Sequence, residues 1–211
     1  MIHILIADDH AIVRKGLIQI LESEPGLASV SEAVNGQEVL DKLRTEAYDL
    51  LILDINMPGR SGIDVLNELH FSQPALPVLI LSMYPEDQYA VRVLKSGAMG
   101  YLNKQSAPEE LIKAIKKIRA GSKYISEGLM EKLATSTLEP SRDRPVQEIL
   151  SDREFQVMLL IASGKSVTEI ASHLFLSVKT VSTYRKRILQ KLNLKNNAEL
   201  THFVIQNELT G

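Results

Sequence analysis

The chain has 211 residues, 45% of them hydrophobic and 24% charged, with a formal net charge of −2. That length suits two domains at roughly 100–200 residues each, and the composition argues against global disorder, collagen and coiled coil. Cysteine is absent, which excludes disulfide scaffolds, thiolate zinc sites and cysteine nucleophiles. No apolar run nears the roughly 18 residues of a membrane helix. Residues 1–9 lack a basic stretch and turn acidic at once, so no signal peptide is expected and the expected location is the cytoplasm.

The first half reads as alternating strands and helices. A β-rich apolar run at 2–7 precedes a helical pattern over 12–21, and a weaker strand at 29–33 precedes a helix marked by Val39, Leu40 and Leu43. Residues 50–53 and 78–81 are continuous apolar runs, as expected where both faces of a parallel sheet are covered. Helices at 63–69 and 89–94 follow them. A short strand at 100–102 leads to a helix over 108–120, with Pro108 in its first turn and Gly121 just past its end. Five strands alternating with five helices predict a doubly wound α/β domain over 1–121. From 122 the pattern decays, and the proline- and charge-bearing stretch to 147 reads as a linker. Residues 148–211 carry no strand pattern but four helical ones, at 152–163, 167–174, 178–192 and 198–207. Ser151 with Glu154 makes a capping box, Gly164 closes the first helix and Ser177 caps the third.

In an open α/β sheet, ligands bind beyond the carboxyl ends of the strands. Asp8 and Asp9 follow the first strand, Asp54 ends the third, Ser82 the fourth, and Lys104 follows the fifth. Strands one and three should flank the switch point, so the three carboxylates converge. Crowded carboxylates repel one another and resist losing water; an oxygen-preferring divalent cation offsets this, and Mg²⁺ suits such a site. Asp54 could then act as a nucleophile towards phosphorus, with Lys104 and Ser82 holding phosphoryl oxygens. Any one Asp at a strand end is ordinarily a turn or helix cap, and a lone Lys a solvated charge; the joint pattern carries the reading. His10, beside the pocket, reads as a polar rim residue.

These residues resemble the receiver domain of bacterial two-component response regulators, through ILIADDH (4–10), LILDINMPGRSG (51–62), LILS (79–82) and GAMGYLNK (97–104). The resemblance implies a flavodoxin-like, five-stranded parallel fold and a phosphoryl group on Asp54 delivered by a histidine kinase. It also implies Mg²⁺ held by Asp9, Asp54 and the Asn56 main-chain carbonyl, with Asp8 acting through water. Ser82 and Tyr101 match the family's switch pair: phosphate draws the Ser82 hydroxyl inward and Tyr101 rotates towards the vacated space. The family often has Pro after the lysine, with a cis bond; here Gln105 stands there. A cis bond before a non-proline costs roughly 2.5–4 kcal/mol, so either the bond is trans or the fold enforces a costly geometry.

Charge is unevenly spread: residues 148–211 hold eight Lys or Arg against six acids, and five of those cations lie between Lys179 and Lys191 with no acid among them. Val181, Ile188 and Leu192 mark the inward face of the 178–192 helix. Between those positions the helix presents Lys179, Thr180, Ser182, Thr183, Arg185, Lys186, Arg187 and Lys191. Such a surface is ordinarily a solvated helix face, but it also fits a DNA major groove. Residues 150–154 (LSDRE), 162–170 (ASGKSVTEI), 176–184 (LSVKTVSTY) and Lys191-Leu192 resemble the LuxR-type helix-turn-helix domain of NarL/FixJ-class regulators. The resemblance implies a small all-α, four-helix domain that binds double-stranded DNA. Ser182, Thr183 and Lys186 match base-facing positions, Lys179, Thr180, Tyr184, Arg185 and Arg187 fit backbone contacts, and the last helix implies a homodimer on DNA.

The sequence therefore predicts a phosphorylation-dependent transcription regulator that promotes only its own phosphorylation and dephosphorylation. The rival readings are a regulator that binds DNA without phosphorylation, and a phosphatase using Asp54 as nucleophile, for which no insertion offers a substrate pocket.

Overall fold

The computed structural model describes residues 2–24, 28–84, 86–126, 128–130, 149–207 and 209. The chain divides into two compact units, Met1–Thr135 and Ser136–Gly211, and each is taken by itself. No helix among the described residues is long and apolar enough to cross a membrane.

In the first unit the elements run β1 (Ile2–Ala7), α1 (Ala11–Glu22), β2 (Ala28–Ala33), α2 (Gly36–Thr45), β3 (Leu50–Asp54), α3 (Gly62–Ser72), β4 (Val78–Ser82), α4 (Glu86–Lys95), β5 (Gly100–Asn103) and α5 (Ala107–Arg119). All strand pairs are parallel, in the order β2-β1-β3-β4-β5. Every residue of β3 and β4 is buried, which is why these strands are unbroken apolar runs. Alternation along the strands divides the core. Ile4, Ile6, Ile52, Leu79 and Leu81 pack with Leu17 and Leu21 of α1 and Leu111, Ile115 and Ile118 of α5. Leu5, Leu51, Leu53 and Ile80 point the other way and are equally buried.

The chain beyond α5 departs from the expected linker at its start. Tyr124 donates its N–H to Met99 O at 2.8 Å and forms a parallel bridge with Gly100. Tyr124 and Leu129 are buried. The physical reason is the free edge of β5, whose unpaired backbone groups accept another length of chain. Residues 131–148, which hold most of the expected linker, lie outside the described residues.

The second unit is helical throughout its described residues: α6 (Asp152–Ala162), α7 (Val167–His173), α8 (Val178–Lys191) and α9 (Asn197–Gln206). α6 packs against α7, α8 and α9, and α7 against α8. Ser151 and Ser166 each close a capping box, with Glu154 and Glu169, and Ser177 caps α8 by accepting from the Thr180 N–H. Gly164 adopts φ +84°, the left-handed turn that ends α6.

Candidate functional site

Strand register builds the acidic pocket. Ala7 pairs with Leu53, so Asp8 and Asp54 emerge side by side one residue further on. Asp54 pairs with Leu81 and Ser82 with Asn103, which sets Ser82 and then Lys104 on the same rim. Ligand oxygens of Asp8, Asp9 and Asp54 and a ring nitrogen of His10 all lie within 4.8 Å of one another. The structure therefore brings together the three carboxylates that the sequence placed at separate strand ends.

The electrostatics follow from burial. Asp8 is 0% and Asp54 2% exposed, and Lys104 Nζ lies 2.7 Å from an oxygen of each. Burial pushes the Asp54 carboxyl up to about 6, with the Lys104 charge pulling the other way and the Asp8 charge adding to the rise. For Lys104, burial alone lowers the ammonium, but Asp54 and Asp8 more than offset it and hold it above its ordinary value. The Asn56 N–H donates to Asp54 Oδ1 at 3.3 Å. Asp8 Oδ2 meets the Lys104 ammonium and Asp9 Oδ1 the His10 ring, so three crowded carboxylates share a single ammonium. Carboxylates crowded in a buried site repel one another and resist losing water, and a hard divalent cation offsets both; the donor set fits one.

His10 is exposed at the edge of the pocket, where a polar rim residue was expected. Its Nδ1 lies 2.7 Å from Asp9 Oδ1 and 3.2 Å from Asp8 Oδ1. Sequence reasoning missed Arg14, which donates to Asp8 O at 2.7 Å and to Glu32 at 2.8 Å, bracing the turn that carries the acids. It missed Asn103, whose side chain donates to Tyr84 O at 3.1 Å and accepts from the Gln105 N–H at 2.9 Å. A polar residue ending an apolar strand beside Lys104 was the available sign.

Ser82 is fully buried, and its hydroxyl accepts from the Tyr84 N–H at 3.1 Å. Tyr101 is 1% exposed, with its hydroxyl donating to Tyr84 O at 2.6 Å; burial raises this phenol. Tyr101 is therefore held inward, against the Tyr84 carbonyl. Tyr84 stacks on Tyr89 at 4.6 Å between ring centroids. No cis peptide bond occurs among the described residues, so the Lys104–Gln105 bond is trans.

In the second unit, α8 buries Val181 and Ile188 and exposes Lys179, Ser182, Thr183, Lys186 and Arg187; Thr180, Tyr184 and Arg185 are half-buried. Two of the expected outward cations are engaged within the unit. Arg185 Nε donates to Asn197 Oδ1 at 2.6 Å. Lys191 corrects its assignment to the open basic face: it turns back onto Glu154 at 2.7 Å, because that carboxylate is 3% exposed and needs a counter-charge. The Thr183 hydroxyl donates to Lys179 O at 2.9 Å.

Residues 4–116 match the family model described as response regulator receiver domain, and residues 148–204 match that of the bacterial regulatory proteins, luxR family. Response regulator UvrY of Escherichia coli (strain K12) is 37% identical over 209 residues, covering 99% of this chain and 96% of UvrY. Response regulator GacA of Pseudomonas aeruginosa is 35% identical over 206 residues, covering 98% of this chain and 96% of GacA. Among solved structures, RcsB from Salmonella enterica serovar Typhimurium, bound to promoter rprA in the presence of phosphomimetic BeF3−, superposes with a TM-score of 0.65 at 30% identity. That match covers 97% of this chain and 99% of RcsB. An acidic pocket at the carboxyl edge of a parallel sheet, followed by a helix-turn-helix unit, is thus a family architecture, and the chain belongs to the two-component response regulators whose receiver domain is joined to a LuxR-type DNA-binding domain.

Proposed function

We propose that this response regulator accepts a phosphoryl group on Asp54 from a sensor histidine kinase and thereby gains affinity, as a homodimer, for promoter DNA in the cytoplasm. The observation that carries the reading is the buried Asp8–Lys104–Asp54 cluster with the Asp9 carboxylate beside it, its ligand atoms within 4.8 Å of those of Asp8 and Asp54. In the transfer, an Asp54 carboxylate oxygen bonds to phosphorus as the bond from phosphorus to the donor's leaving group breaks, and the electron pair departs with that group. Asp9, Asp54 and the Asn56 carbonyl would hold Mg²⁺, with Asp8 through water, and the ion would supply charge neutralisation for the phosphoryl oxygens. Lys104, already 2.7 Å from Asp54, exchanges part of that contact for a phosphoryl oxygen, and the Ser82 hydroxyl supplies a donor.

The chain's own chemistry is confined to gaining and losing this group, rather than turning over an external substrate. DNA contacts fall to the exposed Ser182, Thr183 and Lys186 at base edges, with Lys179, Thr180, Tyr184, Arg185 and Arg187 along the backbone. The receiver extends to the packed residues Tyr124 and Leu129, the connecting segment follows, and the DNA-binding domain begins near 148. The test is intact mass and sizing chromatography after incubation with a small acyl phosphate. Wild type with Mg²⁺ should gain one phosphoryl mass and shift to a dimer. Asp54→Asn, or wild type in EDTA, should do neither; phosphoryl gain in EDTA would remove the metal from the account.

A further inference from the structure

We infer that residues 122–126 form a strap that reports the state of the β4–α4 turn to the chain beyond it, through a hydrogen bond from Ser126 to Glu86. The inference rests on the phosphorylation of Asp54 proposed above. β5 is a sheet edge, and α5 ends in a reversal at Gly121, φ +80°, whose N–H donates to Ile118 O. The chain then returns along β5. Gly100 makes this approach feasible, because a Cβ there would lie 3.0 Å from Tyr124 Cβ and 3.2 Å from Tyr124 O. Tyr124 is driven into the apolar layer under the sheet, and its hydroxyl donates to Glu110 of α5, which lowers that carboxyl.

Beyond this anchored rung, the Ser126 hydroxyl donates to Glu86 Oε2 at 2.5 Å and accepts from the Leu129 N–H at 3.2 Å. Glu86 is the first residue of α4. Its Oε1 is buried without a hydrogen-bond partner among the described residues, so losing Ser126 would leave the carboxylate poorly satisfied. Glu86, Tyr101, Tyr124 and Ser126 line one cavity of about 530 Å³. Two residues before Glu86 stands Tyr84, whose N–H is held by Ser82 and whose carbonyl is held by Tyr101 and Asn103. When the Ser82 hydroxyl turns to a phosphoryl group, Tyr84 loses its acceptor and the turn must adjust. Glu86 moves with that turn, and the strap is tied to Glu86. Tyr124 is the fixed end and Ser126 the moving end.

The experiment uses the full chain as wild type, Ser126→Ala and Ser126→Thr, each with and without a small acyl phosphate and Mg²⁺. Three quantities are read: phosphoryl mass gain, hydrogen exchange at the Tyr124 and Leu129 amides, and affinity for a DNA site selected from a random library by the wild type. In wild type, phosphorylation should change Leu129 exchange while Tyr124 stays protected. Ser126→Ala should gain the phosphoryl group to the same extent, exchange Leu129 quickly in both states, and lose about fivefold or more of the phosphorylation-dependent rise in DNA affinity, the lower end of an ordinary coupling factor. Ser126→Thr should restore both. A Ser126→Ala protein that keeps the wild-type exchange response and affinity ratio overturns the strap alone. Absence of phosphoryl gain in wild type overturns the underlying phosphorylation reading, and the strap with it.

Discussion

Lys104 keeps two buried carboxylates compatible. With Nζ 2.7 Å from both Asp8 and Asp54, it supplies the counter-charge that the interior does not. Removing one partner of such a group leaves uncompensated buried charge, at a cost of about 3 kcal/mol or more. Lys104→Met should therefore lower the metal-free unfolding free energy by about that amount at pH 7.5. The pH dependence has a definite sign. Asp54 titrates at about 6 in the folded protein, above its ordinary 3.8, so its protonation favours the folded state at low pH and that advantage is lost as pH rises through 6. Without Lys104 the carboxyl rises further, so the Lys104→Met deficit should shrink at pH 5, where a proton replaces the cation. Denaturant midpoints in EDTA at the two pH values check this, and an equal deficit at both would contradict it. Asp8, Asp9, Asp54, Ser82 and Lys104 were legible from sequence because each stands where an apolar strand stops. The place of His10 Nδ1, 2.7 Å from Asp9, was not, because it depends on the turn conformation that Arg14 braces.

At the scale of elements, the pocket depends on how closely α3 meets β3. Gly62 begins α3, and a Cβ there would lie 2.0 Å from the Asp54 carbonyl oxygen, a backbone atom with nowhere to go. Gly62→Ala should destabilise the protein by about 3 kcal/mol, the upper range for overpacking, and slow phosphoryl gain at Asp54; a variant unchanged in both would refute the close approach. In the second unit, burial would raise the Glu154 carboxyl, but hydrogen bonds from Lys191 and Ser151 more than offset this and hold it below the ordinary carboxylate range. A depressed folded value means that Glu154 contributes stability above its unfolded pKa and loses it as pH falls through the folded one. Lys191→Met should cost about 1–2 kcal/mol at pH 7, and that cost should fade in acid; amide exchange of α6 in the full chain reads both. Helices and strands were legible because apolar spacing and caps such as Ser151 with Glu154 act within a few residues. The Lys191–Glu154 and Arg185–Asn197 pairs were not, since all cations on α8 look alike until helix packing selects partners 37 and 12 positions away. The Tyr124 rung on Gly100 was hidden for a similar reason: one bridge leaves no periodicity.

For the whole molecule, the uneven spread of charge has a use. The exposed Lys179, Lys186 and Arg187 belong to the helix-turn-helix unit, while the buried acids belong to the receiver unit. DNA affinity should therefore fall as salt rises, because each neutralised phosphate releases counterion. In the proposed function, one chemical event at Asp54 joins that basic face to the acidic pocket. The most direct test is a DNA titration of full-length wild type and Asp54→Asn at one fixed salt concentration, with phosphoryl occupancy of each sample verified by intact mass. The account predicts that phosphorylated wild type binds its selected site at least about fivefold more tightly than either unphosphorylated wild type or treated Asp54→Asn. Equal affinity of all three, with the wild type shown to carry the group, would contradict it.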